Sequence, residues 1–356
     1  MTPIKTAVIG FGISAKVFHT PFLHLLPEYD LVTVMERTKM ESVKVYPDVK
    51  IVRTLDEILK DRSIELIVIT TPNETHFPYA KSALEAGKHV ILEKPFTNTS
   101  EEGRTLIEIA KQNNKVLSVY QNRRYVSDFI TIRDILRKNL LGKVHECFAH
   151  YDRYRPEAKP NAWREEKKPG SGILYDLGAH LIDQACCLFG LPTAITADVR
   201  QQRPHAKVDD YFMIRLDYPA LQVHLHAAML VRLPGPRYMI HGWNGSYIKY
   251  GEDPQEAALR AGNSPGGKDW GKEPEKFYGQ LHTIADGKEI NETYPSQSGN
   301  FGAYYKNLYE TIRNGAPLKE KPEHGFNTIR LIELAFESSR QKRTLPVTQL
   351  IDTTYE

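Results

Sequence analysis

The 356 residues carry 47 Lys plus Arg against 44 Asp plus Glu, a formal charge of +3, with 41% hydrophobic and 26% charged residues. That length fits two domains of ordinary size, that balance is globular rather than disordered, and that charge is far too small for a nucleic-acid footprint. Cys147, Cys186 and Cys187 make no disulfide framework, the apolar run after Thr6 is too short for a signal segment, and no stretch approaches a membrane span, so a cytoplasmic protein with neither nucleic-acid nor membrane partners is expected.

Short apolar runs at Thr6–Ile9, Leu31–Met35, Leu66–Thr70, His89–Leu92 and Val116–Tyr120 alternate with helical stretches near Lys16–Leu26, Leu55–Asp61, Pro78–Ala86 and Glu101–Gln112. This alternation predicts an α/β domain, a doubly wound parallel sheet of the Rossmann type, over residues 1–122. From about Val126 the pattern changes to longer runs rich in Tyr and His, among them Tyr211–Leu216, Leu221–His226 and Ser246–Tyr250. Residues 123–356 are therefore expected to form an α+β domain on a large, mostly antiparallel open sheet. A closing helix over Asn327–Arg340 carries the apolar stripe Ile329, Leu331, Ile332, Leu334, Ala335 and Phe336, which must pack on something.

Gly10-Phe11-Gly12-Ile13-Ser14-Ala15 follows the first strand directly and opens a helix. It matches the G-x-G-x-x-G/A turn, whose glycines let the backbone approach a pyrophosphate at a helix N-terminus. Glu36 ends the second strand about 20 residues further on, where an acidic side chain accepts the ribose hydroxyls of NAD. Arg37 beside it, with Lys39 nearby, would instead pair with the 2′-phosphate of NADP. The expected cofactor is NAD or NADP, with NAD favoured on account of Glu36. Thr71-Pro72-Asn73 and Glu93-Lys94-Pro95 fall at the carboxyl ends of the third and fourth predicted strands, where open α/β sheets bind ligands.

These stretches resemble the Gfo/Idh/MocA family (glucose-fructose oxidoreductase, inositol dehydrogenase, MocA) of NAD(P)-dependent sugar dehydrogenases. The resemblance rests on the glycine turn, Thr71-Pro72-Asn73-x-x-His76, Glu85-Ala86-Gly87-Lys88-His89-Val90, Glu93-Lys94-Pro95, Trp163-Arg164, and the run from Gly170-Ser171-Gly172 through Tyr175-Asp176-Leu177-Gly178-Ala179-His180 to Asp183. It covers essentially the whole chain. Ser171 departs from the family's usual triple glycine. Tyr120-Gln121-Asn122-Arg123-Arg124, His241-Gly242-x-x-Gly245-Ser246-Tyr247 and Lys249-Tyr250-Gly251-x-Asp253-Pro254-Gln255-Glu256 are similar to the subgroup that contains scyllo-inositol dehydrogenases.

The resemblance implies hydride transfer between nicotinamide and a secondary alcohol of a sugar or cyclic polyol, with Lys94, Asp176 and His180 acting together. The residue chemistry agrees. Removing hydride from an alcohol requires a base for the hydroxyl proton, and His180 suits that task at neutral pH. Asp176, at i, i+4, would hold the imidazole or a substrate hydroxyl, and Lys94 would polarise the reacting oxygen. His76 and Glu93 are expected at the cofactor with the strand-end residues. Trp163-Arg164 would contact the nicotinamide half or the substrate. Asn122 at the cofactor, and Arg123, Arg153 and Tyr154 at the substrate, would line the mouth of a cleft, and Arg124 is expected among its cations.

Other readings remain beside this one. His224-x-His226 would share one strand face and either line the site or lie on an ordinary half-exposed sheet. Tyr304-Tyr305 would make ligand contacts or pack an interface. His180-x-x-Asp183 with Cys186-Cys187 has ligand spacing, yet adjacent cysteines cannot face one helical site, so no metal is expected. The family implies a homodimer or homotetramer assembled through the second sheet. The alternatives in function are a catalytically inactive sensor of the same fold, which predicts degraded catalytic positions, and an enzyme of the same fold acting on an amine, imine or alkene.

Overall fold

A computed structural model describes residues 2–158 and 162–355. They form two compact units, one of residues 2–122, 255–270 and 301–326, the other of 123–254, 271–300 and 327–355. The first unit thus takes in two later segments beyond the expected 1–122.

Its sheet comprises β1 (Ile4–Ile9), β2 (Tyr29–Met35), β3 (Lys50–Val52), β4 (Leu66–Ile69), β5 (His89–Leu92) and β6 (Leu117–Val119), in the order β3-β2-β1-β4-β5-β6. All neighbours are parallel. β4 is four apolar residues with no exposure, as a strand covered on both faces requires. β3 has three residues at the sheet edge and too little periodicity to be read from sequence. The helix Gly302–Asn314 explains why a late segment belongs here. Tyr305 stacks on Phe22 at 5.4 Å, and its carbonyl accepts from the Tyr29 hydroxyl at 2.6 Å. Tyr304 donates to Ser118 at 2.9 Å. The Tyr304-Tyr305 pair is therefore core of the dinucleotide-fold unit rather than a ligand contact, because burying two tyrosines with satisfied hydroxyls stabilises the fold.

The second unit is built on nine strands: β7 (Val144–His150), β8 (Ala194–Arg200), β9 (Tyr211–Tyr218), β10 (Leu221–Ala228), β11 (Tyr238–Gly242), β12 (Gly245–Lys249), β13 (Gly279–Ala285), β14 (Lys288–Tyr294) and β15 (Leu345–Pro346). The order is β14-β13-β12-β11-β7-β10-β9-β8-β15, and only β7 and β10 pair in parallel. Val223, Leu225 and Ala227 of β10 are buried while His224 and His226 are half-exposed, so one face lies under helices and the other is open within the chain. Ala179–Phe189 is among the covering helices. The stripe expected at Asn327–Arg340 belongs to a longer helix, Pro322–Gln341, whose Ile329, Leu331 and Ile332 are fully buried. No helix among the described residues is long and apolar enough to cross a membrane.

Candidate active site

The first unit carries the cofactor half. Gly10 has φ +89°, and a Cβ there would sit 3.2 Å from Thr70 Oγ1 and Thr71 Cγ2, so both backbone shape and close packing require glycine. At Gly12 a Cβ would meet nothing within 4 Å. Open space above a bare turn that begins a helical stretch is the cradle a pyrophosphate needs, and the residues fit a dinucleotide. Phe11 is buried against Tyr46, whereas Ile13 is 57% exposed beside the turn. The helical stretch begins with a π-helical segment, Ala15–His19, before Thr20–Leu25.

Three residues expected to touch the cofactor are committed to the protein instead. Glu36 is buried, accepting at Oε1 from Ser42 N at 2.8 Å and Ser42 Oγ at 2.6 Å, and at Oε2 from Glu41 N at 3.0 Å. Burial pushes its carboxyl up, but these bonds outweigh it and hold the pKa below the ordinary value. It ties down the loop after β2 and does not face outward as a ribose acceptor. Arg53 braces the same loop through the Glu36 carbonyl at 2.6 Å and the Lys39 carbonyl at 2.7 Å. Arg37, Thr38 and Lys39 stand exposed on it. His76 places its ring nitrogens 2.9 Å from the Pro95 carbonyl and 3.0 Å from the Thr71 carbonyl. It fastens the ends of β4 and β5 together.

Glu93 is the third. Its Oε1 accepts from Ser14 Oγ and from His19 Nε2 at 2.9 Å, and its Oε2 from Lys94 N at 3.0 Å. Burial raises its pKa, yet His19 by bond and charge, with Ser14 and the Lys94 charge, brings it to about 2. Ser14 accordingly spends its hydroxyl proton on Glu93. His19, not singled out from sequence, is buried between Glu93 and the Tyr305 hydroxyl, which lies 2.9 Å from its Nδ1. Its signal was a histidine inside the glycine-turn helix, where a cation-capable donor has no ordinary packing role. Thr71 accepts from Thr75 at 2.6 Å, Pro72 precedes a 3-10 turn, and Asn73 is buried at its start. Lys94 is the second residue beyond the end of β5, and its bond to Pro95 is cis. Asn122 is buried at the head of the turn Asn122–Tyr125.

The second unit carries Asp176 and His180. The turn before them is built around Gly172, whose φ is +91° and whose Cβ would fall 2.0 Å from Asp209 Oδ1. Asp209 then accepts from Leu174 N at 2.7 Å, satisfying an orphan donor at the start of the helical run. Its burial pushes its pKa up to about 6. Leu174–Gly178 is a π-helical turn and Ala179–Phe189 an α-helix, so Asp176 and His180 lie on different helix types, and a π turn re-aims side chains in the way functional sites exploit. Asp176 Oδ1 lies 3.3 Å from Arg164 Nε. The Arg164 guanidinium covers the Trp163 ring at 4.4 Å, and Ser171 Oγ donates to the Trp163 carbonyl at 3.1 Å. Trp163, Arg164 and Asp176 are thus one connected group.

His180 is buried, with the Tyr151 ring 6.4 Å away and Arg237 stacked on Tyr151 at 3.6 Å. Arg123, Asp128, Tyr151 and Arg237 line one small cavity; Tyr151, whose ring also approaches His180, and Arg237 were not singled out from the sequence. Arg153 follows β7 with its backbone N–H bonded to the Ala228 carbonyl at 2.9 Å. Tyr154 is an exposed ring under Arg232 at 4.3 Å. Arg124 is no ligand-facing cation, since it holds Asp183 through Nε at 2.8 Å and Nη2 at 2.6 Å, both side chains buried. Asp183 thus bonds outside its own helix. Cys186 is core, its thiol pushed up to about 12 by burial. Strand alternation puts His224 and His226 on the open sheet face, with His224 stacked on Phe148 at 4.6 Å, away from the helix that carries His180.

Comparison with known proteins bears on the whole chain. Residues 4–121 match the Gfo/Idh/MocA family model for the NAD-binding Rossmann fold of an oxidoreductase family, and residues 133–348 match its C-terminal alpha/beta domain. The scyllo-inositol 2-dehydrogenase (NADP(+)) IolW of Bacillus subtilis is 45% identical over 96% of this chain and 95% of its own. The uncharacterised oxidoreductase YdgJ of Escherichia coli is 41% identical over 96% and 98%. Among solved structures, the yvaA protein of Bacillus subtilis superposes with a TM-score of 0.94 at 44% identity, covering 98% of this chain and 99% of that one. An oxidoreductase from Bacillus cereus gives 0.91 at 33%, covering 98% and 99%. The chain belongs to the Gfo/Idh/MocA family of NAD(P)-binding oxidoreductases.

Proposed function

We propose that the protein is an NADP-dependent dehydrogenase interconverting a secondary alcohol of a cyclic polyol or sugar, inositol-like in character, and the corresponding ketone. The observation that carries this reading is the pair of residue sets the family motifs mark: in the first unit a bare glycine turn, with Lys94 two residues past β5, and in the second the Asp176 turn followed by the buried His180. A bound nicotinamide dinucleotide supplies the hydride acceptor. His180 takes the hydroxyl proton on an imidazole nitrogen and returns it in the reverse direction. Lys94 donates to the reacting oxygen and stabilises negative charge developing there. Asp176, paired with Arg164, orients the hydroxyl-binding side of this turn.

NADP is preferred over NAD because Glu36, the residue that would favour NAD, is buried and holds three hydrogen bonds from Ser42 and Glu41, which turn it into the loop. What the loop offers instead is Arg37. The named activity of IolW supports both the cofactor and the substrate class. A homodimer or homotetramer in the cytoplasm completes the proposal.

The test is turnover of inositol stereoisomers, hexoses and their keto forms, followed by the absorbance of NADPH. Lys94→Ala and His180→Ala should each keep cofactor binding and lower kcat by about 10²- to 10⁴-fold. Near-normal turnover in both variants overturns the assignment.

A further inference from the structure

The open face of the second sheet brings together three metal-ligating side chains that the redox site does not use. β7 and β10 run parallel with His150 directly opposite His226, and Asp152 lies two residues beyond His150 on the same side of the chain. The imidazole centroids are 5.3 Å apart. His226 Nδ1 is 2.7 Å from Asp152 Oδ1, and His150 Nδ1 is 3.2 Å from Asp152 Oδ2. One ligand atom from each of the three lies within 4.8 Å of the other two, and this is the one such group among the described residues.

A hydrogen-bonded network alone leaves part of this arrangement unexplained. Asp152 Oδ1 and His226 Nδ1 are both out of solvent contact, and neither makes an aligned hydrogen bond despite their closeness. The Asp152 side chain is only 5% exposed, whereas the two histidines are 24% and 21% exposed. The 2.7 Å approach of His226 Nδ1 to Asp152 Oδ1 is an ion pair with poor hydrogen-bond alignment. The two atoms are well placed to share a cation between them. An ion with bonds of about 2.1 Å holds tetrahedral ligands about 3.4 Å apart, a separation that falls between the 2.7 Å and 3.2 Å carboxylate contacts and the 4.8 Å bound on the three ligand atoms.

We propose that His150, Asp152 and His226 form a binding site for a borderline divalent metal ion of the zinc class. Two imidazoles and one carboxylate match that class and leave a further position for water. Alternation along the strands separates this site from His180. Tyr151, the neighbour of His180, lies between His150 and Asp152 in sequence and is buried on the opposite side. The ion would clamp β7 to β10 at the centre of the sheet.

The experiment uses tag-free full-length protein stripped with a chelator, titrated with Co²⁺ as a spectroscopic probe and then with Zn²⁺. One Co²⁺ per chain should bind with visible ligand-field absorption, be displaced by Zn²⁺, and Zn²⁺ should raise the thermal midpoint. His226→Gln and Asp152→Asn should abolish the site, whereas His224→Gln, on the same face but stacked on Phe148, should keep it. Circular dichroism and sedimentation establish that the variants fold and assemble, and His150→Gln replaces either one that does not. Absence of stoichiometric Co²⁺ binding by the parent chain, or unchanged binding in folded His226→Gln and Asp152→Asn, overturns the proposal. None of these readouts depends on the polyol activity.

Discussion

Glu36 and Glu93 show how a carboxylate in an expected ligand position can be drawn into the protein's own hydrogen bonds. Each gives its oxygens to neighbouring donors and thereby shapes a loop, Glu36 the one that exposes Arg37 and Glu93 the end of β5 beside Lys94. For Arg37, losing a charge-assisted pair with a 2′-phosphate predicts that Arg37→Ala raises the Kd for NADPH about 10- to 100-fold and leaves that for NADH nearly unchanged. Fluorescence titration of both reduced cofactors measures this, and an equal loss for both would return Glu36-based NAD recognition to favour. For Glu93 the sign follows from a folded pKa of about 2 against an ordinary 4.5. A depressed carboxyl stabilises the fold above its unfolded pKa, and that contribution is lost as pH falls from about 4.5 towards 2. His19→Gln removes the imidazole whose bond and charge contribute to that depression, so its acid-unfolding midpoint, followed by circular dichroism, should move to higher pH. Position along the chain made Glu36 and Glu93 legible. Their orientation was not, because it depends on Ser42, Glu41 and His19, whose backbones the sequence does not place.

The helical runs that hold the glycine-turn and Asp176-His180 motifs both begin with a π turn, Ala15–His19 and Leu174–Gly178. Strand periodicity foretold β1, β2, β4 and β5 closely, because parallel strands covered on both faces must be continuously apolar. A π turn leaves no comparable pattern, so the geometry between Asp176 and His180 could not be read as a simple i, i+4 pair. Asp209 was equally hidden, lying 35 positions from the Leu174 N–H that it accepts. Gly172→Ala should destabilise the protein by about 3 kcal/mol, from left-handed strain and a clash with that carboxylate. Denaturant titration would measure the loss. Asp209 also has a pH signature opposite to that of Glu93. Its pKa is raised by burial from 3.8 to about 6, so its contribution is complete below about 3.8 and is lost as pH rises through about 6. Asp209→Asn keeps an acceptor for Leu174 and should flatten the thermal midpoint over that interval. A midpoint that still falls equally in the variant would assign the effect to another group.

At the scale of the whole molecule the two-domain expectation from length acquires a physical cause and a consequence. Aromatic residues of 301–326 complete the first unit, which explains why a cut by sequence order alone differs from the compact units. The large second sheet was legible as alternating strands, but which face faces helices was not, since both faces carry aromatic residues. Register resolves it: Ile248 lies opposite Met239, Met239 opposite Phe148, and Phe148 opposite His224 across β12, β11, β7 and β10. These side chains form a continuous row on the open face, together with the 47% exposed Met213. A row of that kind across four strands is more apolar than a solvated sheet face tolerates without cost, and a second copy of the same face would remove it from water. An isologous contact doubles the effect of any one substitution, because each residue appears on both sides of the axis. Met239→Lys should therefore place two cations in the seam and shift the protein to monomer at micromolar concentration while its circular dichroism stays native. Sedimentation velocity reads this directly, with a parent chain already monomeric, or a variant that sediments unchanged, excluding the open sheet face as the assembly surface.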